Sequence, residues 1–203
     1  MLRKLALGIS AGVLIAIGGC VYLACDSKYM GAALFAVALL GICSKGYALF
    51  TGKVGYLVSD HSADALISLS LSILGNAIAT ISLGLVIHAA MPHLGETALA
   101  ICTAKLGQAP MGTLVRAILC GVLMYLAVSI YREKNTIAGI VYCVPVFILS
   151  GFEHSIANMF YFGAAGLLTG QVFAYLLLVI FGNAVGGMLL PLLDLLGKEG
   201  AHV

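Results

Sequence analysis

Six apolar runs, each close to the length that crosses a bilayer, constrain this chain more than any other feature. They fall at about 5–25, 29–50, 67–91, 112–131, 137–167 and 168–195, and a helix needs roughly 20 such residues to span the hydrocarbon. The fifth and sixth are separated only by Leu168-Thr169-Gly170. Charged residues make up 9% of the chain, against roughly 25% in an ordinary soluble domain, and mean hydropathy is +1.13. The whole chain, 1–203, therefore reads as a single transmembrane domain. Its net charge of +2, with no basic run and no glycine-rich phosphate loop, sets nucleic-acid binding aside.

Counting lysine and arginine orients the spans. With the N-terminus inside, Arg3, Lys4, Lys53, Arg132, Lys134 and Lys198 fall on the inner side. Lys28, Lys105 and Arg116 fall on the outer side. Both termini are expected in the cytoplasm, and the segment Pro92–Pro110 is read as the longest outer loop. No stretch is long enough for a soluble enzymatic domain. Arg3-Lys4 before an apolar run resembles a signal peptide, but the run is longer than a signal core and five more spans follow. The six cysteines contain no CxxC pair and read as small buried hydrophobes, so neither a disulfide framework nor a metal site is expected.

Two of the spans are interrupted by polar residues. The second is broken at Ser44-Lys45-Gly46-Tyr47 and resumes with Ala48-Leu49-Phe50-Thr51-Gly52. The fifth carries Ser150-Gly151-Phe152-Glu153-His154-Ser155-Ile156-Ala157-Asn158-Met159-Phe160. Ionisable groups at that depth are costly and mark pathways or cavities, and non-helical backbone there must be buried in protein or line a watery cavity. Gly75-Asn76-Ala77 in the third span recurs 107 residues later as Gly182-Asn183-Ala184 in the sixth. Two halves of three spans, about 5–91 and 112–195, follow, and an odd span count makes the second half inverted. Inverted repeats with broken helices place a solute pathway near the midplane between the breaks. Gly75, Gly182, Gly186 and Gly187 would bring helices to backbone contact.

His154 is the leading functional residue, because its reference pKa of about 6.5 allows a charge change near neutrality. Thr51 is the matching polar group at the first break, able to bond a solute or the His154 ring. Glu153, Gly46 and Gly151 are read as structural at the breaks, with Glu153 bonding freed backbone groups. Asn158, four residues past His154, shares its helical face and is expected to bond loop backbone from the other half. Phe35, Leu39, Phe50 and Phe147 could form apolar constrictions. Lys45 and Lys53 on one side, with Lys105 and Arg116 on the other, would concentrate anions at the mouths.

The stretch from Ser150 to Phe160 resembles the signature of the formate/nitrite transporter family. Leu49-Phe50-Thr51-Gly52 and Gly182-Asn183-Ala184-Val185-Gly186-Gly187 resemble two further motifs of that family. The resemblance covers the chain from the first span onward. It implies an all-α, aquaporin-like protomer of six transmembrane helices, assembled as a homopentamer in the bacterial inner membrane, with a pore in each protomer. It implies passage of small monovalent anions or their weak acids, with formate or nitrite foremost and hydrosulfide or lactate as alternatives. No enzymatic activity, cofactor or metal is implied; the partners are the anion, protons and the bilayer. The central histidine of the family falls on His154, its pore threonine on Thr51, its constriction on Phe35, Leu39, Phe50 and Phe147, and its outer-vestibule lysine on Lys105. Asn158 joins the pore group. The chain departs from the family in lacking an N-terminal amphipathic helix, in Gly121 and Met124 of the fourth span, and in Lys45 and Lys53. A channel for water or a neutral solute remains the rival reading.

Overall fold

The computed structural model describes residues 1–199, with side chains to Gly197, and contains helices and no strand among them. Among the described residues five helices are long and apolar enough to cross a membrane. They are α1 (Leu2–Ala24), α2 (Lys28–Lys45), α4 (Ala63–Ala90), α6 (Pro110–Lys134) and α9 (Gly170–Glu199). Between them lie α3 (Phe50–Lys53), α5 (Pro92–Leu106), α7 (Ala138–Leu149) and α8 (Ser155–Ala164), with a 3-10 turn at Val54–Val58. The tail beyond Glu199 and the Lys198 side chain lie outside the described residues.

Local sequence sets the ends. Ser27 and Ser62 cap α2 and α4 by accepting the Met30 and Ala65 amides, filling donors that a helix start leaves open. Pro92 and Pro110 begin α5 and α6, where the missing amide costs nothing. This corrects the expected outer loop: Pro92–Leu106 is a helix, with Leu94, Ala98 and Cys102 buried along one stripe.

Helix α1 packs along α4, and α6 along α9. Small residues permit the approach. A Cβ on Gly75 would sit 2.6 Å from the Leu5 carbonyl oxygen, and one on Gly186 would overlap the Ile118 carbonyl. Much of the remaining apolar surface is exposed, as on Tyr29, Met111, Tyr142, Phe173 and Leu196. Such faces suit lipid or neighbouring subunits rather than water.

Both breaks are made the same way. Helix α2 stops at Gly46 (φ 68°) and α7 at Gly151 (φ 66°), a left-handed conformation that glycine adopts without strain. The Gly46 amide donates to Cys43 and the Tyr47 amide to Ile42; Gly151 donates to Ile148 and Phe152 to Phe147. Each is a helix stop that satisfies two of the last carbonyls. The chain then runs extended for a few residues before α3 or α8 begins.

Candidate functional site

Extended backbone inside a membrane protein must find partners for its amides and carbonyls. Here two asparagines supply them. The Asn76 side chain on α4 accepts the Phe50 amide at 3.0 Å and donates to the Ala48 and Gly8 carbonyls at 2.9 and 2.8 Å. Asn183 on α9 accepts the Ser155 amide and donates to the Glu153 and Ala117 carbonyls, all at 2.8 Å. The Ala48 amide reaches the Leu7 carbonyl of α1, and the Glu153 amide the Arg116 carbonyl of α6. Each asparagine thus ties a broken helix to the two helices beside it. The role expected of Asn158 and Glu153, bonding freed backbone, belongs to Asn76 and Asn183.

These ties bring Thr51 and His154 together. Both are buried, and Thr51 Oγ1 lies 2.9 Å from His154 Nε2. His154 also caps α8: its Nδ1 accepts the Ala157 amide at 3.2 Å. A nitrogen that accepts carries no proton, so the ring is neutral and its one N–H sits on Nε2. That N–H donates to Thr51 Oγ1, which leaves the threonine hydroxyl hydrogen free to point at a solute. The ring lies against Phe147 at a centroid distance of 5.5 Å, and Phe147 meets Phe35 edge-on at 6.2 Å.

Two cavities flank this pair. The first, about 280 Å³, is lined by Leu39, Leu49, Gly52, Lys53 and Arg132 among others. The second, about 330 Å³, is lined by Phe35, Lys105, Arg116, Phe147, His154 and Asn158 among others. Leu39 and Phe35 lie one turn apart on α2 and line different cavities; His154 lines the second, while Thr51 is buried and lines neither, its neighbour Gly52 lining the first. Phe50 is buried and lines neither cavity. Lys45 is exposed at the end of α2 and lines neither.

Glu153 projects into the second cavity, not toward the backbone. Its carboxylate receives Lys105 Nζ at 2.5 Å, Gln108 Nε2 at 3.0 Å and Asn158 Nδ2 at 2.9 Å. A buried carboxylate this well supplied with donors stays ionised. The lysine read as the outer-vestibule cation is thus paired with a carboxylate. Sequence reasoning missed this pair because 48 residues separate its members. Among the described residues no cluster of side chains could hold a metal ion.

The sequence profile of the formate/nitrite transporter family matches residues 1–195. A solved structure described as a pentameric formate channel with formate bound is 25% identical, with a TM-score of 0.81, and the match covers 97% of each chain. A second, described as an FNT family ion channel, is 23% identical with a TM-score of 0.78, covering 92% of this chain and 86% of that one; it shares the fold. A search of curated protein sequences finds no match. With broken helices tied by paired asparagines, a buried Thr51–His154 bond between two cavities and a profile match along nearly its whole length, this chain belongs to the formate/nitrite transporter family.

Proposed function

We propose that the protein conducts a small monovalent anion, formate or nitrite foremost, through a pore in each protomer of a homopentamer, with passage linked to a proton. The observation that carries this is the buried Thr51–His154 bond, with one cation-lined cavity at His154 and another at Gly52 beside Thr51. Stripping an anion of water there is heavily penalised, so a bare ion is held back at Phe35, Leu39 and Phe147. Phe50 backs this constriction. Lys105, Arg116 and the cations of the first cavity draw the anion in.

At the constriction the anion meets the Thr51 hydroxyl. Held there, the anion takes its proton from hydronium supplied by the acidic side, releasing water. The pair keeps its own protons throughout, with Nε2–H donating to Oγ1 and Oγ1–H to the anion. The neutral acid then crosses, and Nδ1 stays bound to the α8 amide throughout. Asn158 and Glu153 keep Lys105 in the cavity wall. The assembly reading is supported by the pentameric neighbour, and the exposed apolar helix faces supply contact surface.

The chain is one transmembrane domain of two inverted repeats, placed in the bacterial inner membrane with both ends cytoplasmic. The first cavity, with Lys53 and Arg132, is then the inner one. The rival within the same pore is an anion channel in which Thr51 and His154 only donate hydrogen bonds. Hydrosulfide, lactate and neutral solutes are the alternative cargoes.

The test is flux of formate, nitrite and hydrosulfide into liposomes, with and without a proton gradient. Gradient-driven uptake that is lost in His154→Asn supports proton linkage. Uptake in that variant at the wild-type rate, still gradient-driven, would refute it. Electrogenic, gradient-insensitive current favours the anion channel.

A further inference from the structure

The cations of the two cavities are not equivalent. In the second, Lys105 is already matched by Glu153, which leaves exposed Arg116 as its one cation without an ion pair among the described residues. In the first, Lys53 and Arg132 line the wall and no carboxylate does. Among the described residues neither cation forms an ion pair. Asp60 and Asp64 line a neighbouring cavity that shares Lys53 and Arg132 with this one. Asp64 is held by Lys4, and Asp60 accepts the Ser62 amide. Glu133 follows Arg132 on α6 and is exposed. Lys53 is half-buried two residues beyond Thr51, and the Arg132 guanidinium is held over the Tyr56 ring at 4.3 Å. An arginine positioned by an aromatic face rather than a carboxylate keeps its donor fork open.

We propose that Lys53 and Arg132 form an anion-binding station in the first cavity for a small monovalent carboxylate or oxyanion, and that the pore loads from this mouth at low substrate. The proposal rests on the anion-pore reading above. Arginine offers paired N–H donors to two oxygens, and lysine adds a compact charge. In sequence only Gly52 stands between Lys53 and Thr51, and Gly52 lines the same cavity as Lys53 and Arg132. Lys105, by contrast, already has a carboxylate on its ammonium, so the second cavity offers an anion fewer open donors.

The experiment measures initial formate flux against formate concentration in liposomes, at low and high ionic strength, for oligomers first checked by size. Lys53→Gln should raise the half-saturating concentration by roughly threefold and flatten its salt dependence, with a smaller effect on saturating flux. Lys53→Arg should restore both. Arg132→Gln should act in the same direction, and the pair of substitutions should exceed either. An unchanged half-saturating concentration in Lys53→Gln, or a loss confined to saturating flux, would overturn the station while leaving the pore reading intact. A wild-type protein that carries no formate would instead break the pore reading, and the station with it.

Discussion

At the first break Ala48 and Phe50 are bound by Asn76, and at the second Glu153 and Ser155 are bound by Asn183. Leu49 and His154 sit between those bound residues in their respective breaks, so they occupy matching places on matching backbone. The side chains differ entirely. Leu49 is apolar, and its neighbour Ala48 has no carboxylate to pair. His154 is flanked by Glu153, which gathers Lys105, Gln108 and Asn158. The backbone ties run through asparagines on other helices, so they do not depend on what the break itself displays. One half could therefore become polar and the other stay greasy without disturbing the scaffold.

If the two scaffolds are equivalent, Asn76→Leu and Asn183→Leu should cost alike. Each leaves two carbonyls and one amide unpaired, and each such group costs about 1–3 kcal/mol. Both variants should therefore lose about 3 kcal/mol or more, read as thermal melting of the detergent-solubilised oligomer. A large loss at one site alone breaks the comparison.

Glu153→Gln probes the polar half. It leaves Lys105 without a counter-charge, at a cost of about 2 kcal/mol or more. Adding Lys105→Gln should recover part of it, and a coupling below about 0.5 kcal/mol in the resulting double-mutant cycle would show the pair to be idle.

Thr51→Val asks whether the greasy half contributes any polar group to transport. Flux should fall roughly tenfold, the worth of one lost hydrogen bond in the pore, while Thr51→Ser stays close to wild type. Wild-type flux in the valine variant would assign all the chemistry to the second break.

The smallest effect belongs to the turns. Gly46→Ala and Gly151→Ala meet open space, since nothing lies within 4 Å of either added Cβ. Each should cost only the left-handed strain of about 1–2 kcal/mol, equally, in the same melting assay.

The spans, the two interruptions and the residues at the pore centre were legible because apolar length and buried polarity both show in a linear string. The His154 ring is one of the two partners that the sequence allows Thr51, the other being a solute, and the structure shows that contact. The ends of α2 and α7 were legible as well: the interruptions read at Ser44–Tyr47 and from Ser150 onward fall where α2 ends at Lys45 and α7 at Leu149. Helix α5 was overlooked because its charged and polar face made Pro92–Pro110 resemble a loop. Its signal was there: proline at the start, then Leu94, Ala98 and Cys102 four apart. The asparagines were seen as repeat markers, though a lone asparagine beside glycine in an apolar span already signals a backbone tie. The Lys105–Glu153 pair left no such mark, because ion pairs between distant helices depend on packing alone.

The Asn183 tie also bears on how the protein is made. Domains form from the N-terminus as synthesis proceeds, and the first break can close once α4 has emerged. The second cannot. Until α9 enters the bilayer, the Ser155 amide and the Glu153 carbonyl lack their side-chain partner at a depth where water is scarce. The half of the molecule that holds His154 is thus the last to be completed, and a ribosome that stalls before residue 183 leaves a nascent chain with an open seam beside its most polar segment.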